Sequence, residues 1–281
     1  MQLASYAKIN LYLEILAELP DNYHQIETLL CSVSVCDTLK YALTKKRHVK
    51  MWSNLPEMVS GDNLVLQVAN YLQREFQPDQ GVEIHLEKHI PLAAGLGGGS
   101  SNAANVIRAL NSLWNLQLTL AEMEDIAAGF GSDVPFFLHG GTAWATNRGE
   151  KITPCADLDI RNILLVNPNV RISSGQAYRM APVPACLDRH GFQQANWHKC
   201  CFNRLESALC AQYPVVDQVL ERLRSAGAEP AMMSGSGSTC FGIFPTADLA
   251  LKCQDSFDQE GHWTQIVRTI KRKEYQDVFQ T

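Results

Sequence analysis

The chain has 281 residues, 46% of them hydrophobic, and a formal net charge of −5. That length suits two domains better than one, and the apolar fraction is that of a globular protein. The acidic balance speaks against a general nucleic-acid-binding surface, and no uninterrupted apolar run approaches the ~18 residues of a membrane span.

From the N-terminus, Ile9, Leu11, Leu13 and Ile15 alternate with Asn10, Tyr12 and Glu14, the period of a half-buried strand. Period two puts Lys8 and Asn10 together on the polar face, opposite the apolar set. Lys8, Asn10 and Glu14 also break up the first apolar segment, so no signal peptide is expected. Pro20 to His24 reads as a turn. Cys31, Val33 and Val35, then Leu39, Tyr41 and Leu43, predict further strands of the same sheet, and Lys45-Lys46-Arg47-His48 a solvated turn. Asp62 is placed to cap a helix with Val65, Val68, Ala69, Leu72 and Phe76 on one face. Val82, Ile84 and Leu86 alternate in a strand, and Ala103, Ile107, Leu110 and Trp114 fall at helical spacing.

Thr119-Leu-Ala-Glu122 is a capping box opening another helix, which Gly129 and Gly131 end. Asp133-Val-Pro135 predicts a helix start with proline in the first turn. Residues 141–154 read as a hairpin turning near Asn147-Arg-Gly149. A domain boundary is expected near Thr153, giving residues 1–152 and 153–281. Beyond it come a short strand at Ile163–Val166, helical periodicity at 202–209 and 215–223, and two short strands around Ser234-Gly-Ser-Gly-Ser238. A helix at 247–257 and a strand at 263–270 follow. That order, with one extra helix, predicts a split βαβ or ferredoxin-like arrangement. Nine cysteines with no C-x-x-C pair indicate reduced thiols in a cytosol-like compartment. His198 and Cys200-Cys201 form the only grouping that resembles metal ligands, and adjacent cysteines without a second pair make a poor zinc site.

The most informative segment is Pro91-Leu-Ala-Ala-Gly-Leu-Gly-Gly-Gly-Ser-Ser101, set between the strand at 82–86 and the helix that follows. Glycines let a ligand lie against bare N–H groups, and a helix start adds unpaired donors and partial positive charge. The combination is an anion cradle, usually for phosphate. No lysine follows the glycines, so it is not a P-loop. Gly95 and Gly97 fit G-x-G-x-x-G, but Ser100 occupies the sixth position, which weakens a dinucleotide reading. Ser100 or Ser101 can offer a hydroxyl to Mg²⁺ or to phosphate, or simply cap the helix.

Phosphoryl transfer asks for a cradle, a metal, a group that takes up the acceptor's proton, and positive charge near the developing anion. Asp133 is the leading proton acceptor, although a helix-capping role accounts for it equally. Lys8 reads as a solvated lysine unless it lies near Asp133, where it would favour the charged carboxylate and lower the barrier to alkoxide formation.

The segment Pro91 to Ser101 closely resembles the second motif of the GHMP kinases, the galactokinase, homoserine, mevalonate and phosphomevalonate kinase superfamily. Ser5-Tyr-Ala-Lys-Ile-Asn-Leu-Tyr-Leu13 and Asp21-Asn-Tyr-His24 resemble motifs of its 4-diphosphocytidyl-2-C-methyl-D-erythritol kinase branch. Asp62-Asn-Leu-Val65, Gly131-Ser-Asp-Val-Pro-Phe136, Phe202-Asn-Arg-Leu-Glu206 and Ser234 to Ser238 match in the same order. The resemblance spans nearly the whole chain.

It implies a two-domain α+β fold. The N-terminal domain would be a mixed α/β nucleotide domain like domain 2 of ribosomal protein S5, and the C-terminal domain ferredoxin-like. It implies a cytoplasmic enzyme of the non-mevalonate isoprenoid pathway, acting as a monomer or weak homodimer. With Mg²⁺ as cofactor, it would phosphorylate the 2-hydroxyl of 4-diphosphocytidyl-2-C-methyl-D-erythritol from ATP.

Lys8 and Asp133 would be catalytic, and Asn10 would help hold the acceptor. Tyr23 and His24 would recognise cytosine, with Tyr178 stacked on its other side and Ser174 touching substrate. Asn63, Lys88 and Pro91 would line the adenine pocket. Gly95, Leu96, Gly97, Gly98, Gly99, Ser100 and Ser101 would hold the phosphates, with Ser100 the candidate metal ligand. Gly235, Ser236 and Gly237 would close over the centre. Two positions depart from the pattern. Asn22 replaces a usual glycine, which asparagine's tolerance of positive φ accommodates. Arg204 replaces a commonly acidic residue, with only a surface effect expected. Another GHMP kinase, of homoserine or mevalonate type, is the alternative; it would share the glycine loop and have no use for a cytosine clamp.

Overall fold

The computed structural model describes residues 1–20, 23–181 and 194–279. In chain order the strands and helices are β1 (Gln2–Glu18), β2 (His24–Thr44), β3 (Val49–Ser53), α1 (Leu64–Phe76), β4 (Gly81–Glu87), α2 (Gly98–Leu113), α3 (Leu120–Ala128), α4 (Phe136–His139), β5 (Thr142–Asn147), β6 (Lys151–Pro154), β7 (Ile163–Asn167), α5 (Ser174–Met180), β8 (Phe202–Asn203), α6 (Glu206–Gln212), α7 (Pro214–Ser225), β9 (Ala231–Met233), β10 (Cys240–Ile243), α8 (Ala247–Asp258), β11 (Trp263–Val267) and α9 (Arg272–Asp277).

The first sheet runs β3-β4-β2-β1-β8, with β5 also on β2 and β6 on β5. The alternation at 31–35 and 39–43 belongs to one strand, not two. β2 is 21 residues long, enough to pair β5 through residues 26–31 and β4 through residues 38–44. Val82, Ile84 and Leu86 turn to the helix-covered side and bury against Val65, Val68 and Leu72 of α1 and Ile107 and Leu110 of α2. Burying each such side chain contributes about 1.5–3 kcal/mol.

The second sheet runs β11-β7-β10-β9, antiparallel throughout. Numbering its strands one to four along the chain gives the order 4-1-3-2, the expected ferredoxin-like arrangement. Its core takes Val216, Leu220 and Leu223 from α7 and Phe257 from α8. A third apolar cluster joins the sheets, with Ile9, Leu11 and Leu29 meeting Leu165, Phe241 and Val267. The two sheets therefore share buried surface instead of hanging on a linker.

Several local signals read as the sequence suggests. Thr119 and Glu122 form the reciprocal capping box, and β5 and β6 make the hairpin around Asn147–Gly149. The cap of α1 shifts by one residue: Asn63, not Asp62, accepts from Val65 N at 2.9 Å. The helix after Asp133 is a single turn. Phe202 does not begin a helix; Phe202–Asn203 instead pairs parallel with Tyr12 and Leu13, so the second half of the chain adds a strand to the first sheet. Among the described residues no helix is long and apolar enough to cross a membrane.

Candidate active site

The loop between β4 and α2 is shaped by what approaches it. Gly95 and Gly97 sit at φ +74° and +68°, a region that L side chains rarely adopt. A Cβ on Gly97 would lie 2.8 Å from the Phe137 ring and 3.1 Å from Lys8 Cγ; one on Gly95 would lie 2.1 Å from Ser234 O. Gly99 differs, because a Cβ there would meet only Leu64, at 4.0 Å. No side chain caps α2. The first-turn N–H groups of a helix lack intrahelical partners, and at an uncapped start such as this one they form the arrangement that binds phosphate.

A buried polar network carries this turn. Asp37 accepts from His89 N at 2.8 Å and Ile90 N at 2.9 Å through one oxygen; through the other it takes the Lys88 ammonium and Asn102 Nδ2. Asn102 also donates to Ser5 Oγ, which contacts Ser101 Oγ at 2.8 Å. Two residues expected to touch ligand take part in this network. Ser101 is buried, with its hydroxyl turned to Ser5, so only Ser100, half-buried in the first turn, keeps a hydroxyl near the cradle. Lys88 directs its ammonium to Asp37 under the loop, and Asn54 holds both its backbone polar groups. Asn63 likewise spends its amide locally, on Val65 N and on Met58 O. Pro91 lies half-buried at the start of the loop.

Lys8 is fixed at both ends. Its backbone N–H donates to Leu96 O at 3.0 Å, tying β1 to the glycine loop. Its ammonium donates to Asn10 Oδ1 at 2.6 Å and stands 3.5 Å from Asp133 Oδ2. The Lys8 side chain is 4% exposed and that of Asp133 38%, so a shielded cation faces a carboxylate that substrate can reach. The alternation of β1 therefore puts Lys8 and Asn10 together as expected, but in the interior and not in solvent. Asn10 accepts from Lys8 and donates to Thr28 Oγ1 at 2.8 Å.

The turn between β9 and β10 closes this centre. Ser234 Oγ donates to Gly95 O at 3.0 Å and lies 3.4 Å from Asn10 N. A Cβ on Gly235 would stand 3.0 Å from both Lys8 Nζ and Asn10 Oδ1, and one on Gly237 2.5 Å from Met233 Sδ. Asn203 Nδ2 donates to Met233 O and Gly235 O, both at 2.8 Å, and so holds the turn from behind. Next to it, Arg204 grips Glu14 with two bonds of 2.7 Å, and its guanidinium lies 4.7 Å over the Phe202 ring. The expectation of a mere surface effect at Arg204 is thus corrected; it braces β8 against β1. Sequence reading missed Thr28 and the part played by Asn203, since a lone threonine on a strand carries no periodic or motif signal.

Beside the centre, His24 and Tyr178 stack with ring centroids 5.5 Å apart. Tyr23 is 54% exposed, with the Arg148 guanidinium 4.7 Å over its ring. Burial chiefly, and the Asp133 charge next, push the Tyr178 phenol above its ordinary pKa. Ser174 Oγ meets Ser236 Oγ at 3.1 Å across the same opening. Asp21 and Asn22 lie outside the described residues.

Among the described residues no group of three or more His, Cys, Asp or Glu could hold a metal ion. Mg²⁺ in phosphoryl-transfer sites keeps several waters and uses substrate phosphates with one or two protein oxygens. The half-buried Ser100 hydroxyl, in the first turn of α2, would fit such a set as its one protein oxygen.

Comparison with known proteins places this arrangement. The GHMP kinases N terminal domain family matches residues 63–141, and the GHMP kinases C terminal family matches residues 192–262. The chain belongs to the GHMP kinase family. It is therefore an ATP-dependent small-molecule kinase. It is 38% identical to a 4-diphosphocytidyl-2-C-methyl-D-erythritol kinase from Synechococcus sp. (strain JA-2-3B'a(2-13)), over 92% of this chain and 89% of the relative. The enzyme of that name from Enterococcus faecalis (strain ATCC 700802 / V583) is 35% identical, over 94% of this chain and 97% of the relative. A solved 4-(cytidine 5'-diphospho)-2C-methyl-D-erythritol kinase superimposes with a TM-score of 0.82 at 30% identity, covering 96% of this chain and all of the other. Homoserine kinase from Cytophaga hutchinsonii shares the fold, with a TM-score of 0.71 at 18% identity, covering 98% of this chain and 96% of its own. In this GHMP kinase Lys8 joins the glycine loop, through Leu96 O, to Asp133, 3.5 Å from its ammonium.

Proposed function

We propose that this kinase transfers the γ-phosphoryl group of ATP to the 2-hydroxyl of 4-diphosphocytidyl-2-C-methyl-D-erythritol, a step of the non-mevalonate isoprenoid pathway. The observation that carries the reading is the pair Lys8–Asp133 at 3.5 Å, beside the aromatic cluster of Tyr23, His24 and Tyr178. In this reading the glycine loop, with the N–H groups of Gly98, Gly99 and Ser100, holds the phosphates. Asp133 takes the hydroxyl proton as the new O–P bond forms and the bond from the γ-phosphorus to ADP breaks. The Lys8 ammonium offsets the charge that grows on the alkoxide. The Ser100 hydroxyl is the candidate protein ligand for Mg²⁺, which when bound would supply positive charge at the phosphates.

His24 would read the cytosine edge, with Tyr23 and Tyr178 supplying stacking surface and Ser174 and the turn 235–237 lining the acceptor side. Asn63 and Pro91 would flank the adenine by position. We also hold to a division near residues 152 and 153, to a cytoplasmic location and to a monomer or weak homodimer. The nine cysteines with no C-x-x-C pair support a reducing compartment. The test is an ATP-dependent assay with the cytidyl substrate, reading product mass for one added phosphoryl group. Turnover of homoserine or mevalonate with none of the cytidyl alcohol would overturn the substrate assignment.

A further inference from the structure

We propose that Thr28 is a positioning residue for the phosphoryl transfer, fixing the direction of the Lys8 ammonium through Asn10. The inference rests on the reading of Lys8 given above. A carboxamide presents an oxygen at one end and an NH₂ of nearly the same size at the other, so packing alone cannot decide which end faces a neighbour. Here the decision matters. With the oxygen toward Lys8 the amide accepts an ammonium hydrogen; with the NH₂ toward Lys8 two donors would oppose each other.

The structure carries a device that makes the choice. Thr28 lies on β2, buried, with 2% of its surface exposed. The register of β1 against β2 slips between Asn10 and Tyr12, and the Thr28 hydroxyl donates to Tyr12 O at 2.6 Å. A hydroxyl has one hydrogen, and this one is spent. Toward Asn10 the Thr28 oxygen can only accept, and it does so from Nδ2 at 2.8 Å. That leaves Oδ1 to face Lys8 Nζ at 2.6 Å, and the rest of the ammonium to face Asp133 Oδ2 at 3.5 Å. The order Tyr12 O, Thr28, Asn10, Lys8, Asp133 is a directed chain in which each donor fixes the next. Nothing in it requires Thr28 to touch substrate.

The test is a set of steady-state measurements on Thr28→Val, Thr28→Ser, Asn10→Ala, Lys8→Met and the double variant Asn10→Ala/Thr28→Val, each checked for folding by thermal melting. Valine keeps the shape and removes the hydroxyl. Thr28→Val is expected to lower kcat by about 10-fold or more, the scale of a misdirected charge-assisted hydrogen bond, with KM for ATP within about twofold. Thr28→Ser recovers most of the lost turnover. In the Asn10→Ala background Thr28→Val adds less than about twofold, because the effect passes through Asn10. A kcat for Thr28→Val within about twofold of the parent overturns the proposal. So does an equal loss in both backgrounds, or a Thr28→Ser variant as slow as the valine. If Thr28→Val does not fold, Thr28→Cys, a weak donor of similar size, is read against the same thresholds. Lys8→Met separates the two levels: parental turnover there would remove the catalytic reading of Lys8 itself, whereas a dead Lys8→Met beside an unaffected Thr28→Val removes only the role of Thr28.

Discussion

The ammonium of Lys8 stands 3.5 Å from the Asp133 carboxylate, the first shielded and the second open to the cleft. A proton acceptor must be reached by substrate, whereas a cation that stabilises a developing anion acts more strongly when water is kept from it. Asp133→Asn and Lys8→Met are each expected to lower turnover by ~10²-fold or more while nucleotide binding persists. Single-turnover phosphorylation with titration calorimetry checks this. Near-parental turnover of a folded Asp133→Asn would remove the proton-acceptor role.

The glycine cradle is best probed at Gly99. Gly97→Val would collide with Phe137 and press on Lys8 as well as on a phosphate, so its effects would be mixed. Gly99 has open space in place of a Cβ, and a helix tolerates a side chain there better than it tolerates glycine. Gly99→Val should keep its melting temperature yet lose about tenfold or more in ATP affinity, the scale of losing a charge-assisted hydrogen bond. Unchanged ATP binding by calorimetry would mean that phosphate does not approach this turn.

His24 and Tyr23 test the base end of the cleft. His24→Ala would leave cytosine polar groups unpaired, at a cost of about 1–3 kcal/mol in substrate binding. Tyr23→Ala would remove a stacking surface worth about 1–3 kcal/mol. Both should raise KM for the cytidyl substrate and leave that for ATP in place. A rise in the ATP value alone would sink the cytosine assignment.

The brace between Arg204 and Glu14 is a stability device reaching across 190 residues of sequence. Glu14 is 4% exposed, so Arg204→Ala strands a buried carboxylate and is expected to destabilise the fold by about 3–5 kcal/mol. Adding Glu14→Gln should return part of that loss, because the stranded group is then neutral. Urea unfolding of the single and double variants measures both steps. If the double variant is no more stable than Arg204→Ala, the penalty does not come from the unpaired charge.

Much of this protein could be read locally. Period two in Ile9–Ile15 and Val82–Leu86, helical spacing after Gly99, the capping box at Thr119 and the glycine run at 95–99 each depend on neighbours within a few residues. They gave the strands, the helices, the ferredoxin-like order of the second half and the phosphate loop. The ordered motifs from Ala7-Lys-Ile-Asn10 to Ser234–Ser238 added the kinase family. Tertiary structure decided where polar side chains spend their hydrogen bonds. Lys88 and Ser101, which the family resemblance marks as ligand contacts, spend their side chains in the network under the loop. Arg204 looks like surface and proves to be a brace. The physical reason is that strand and helix signals come from backbone geometry, which is local, whereas a buried donor must find whichever acceptor the fold brings to it. For Ser234 that acceptor is Gly95 O, 139 residues away; for Lys8 it is an amide whose direction Thr28 sets from the neighbouring strand.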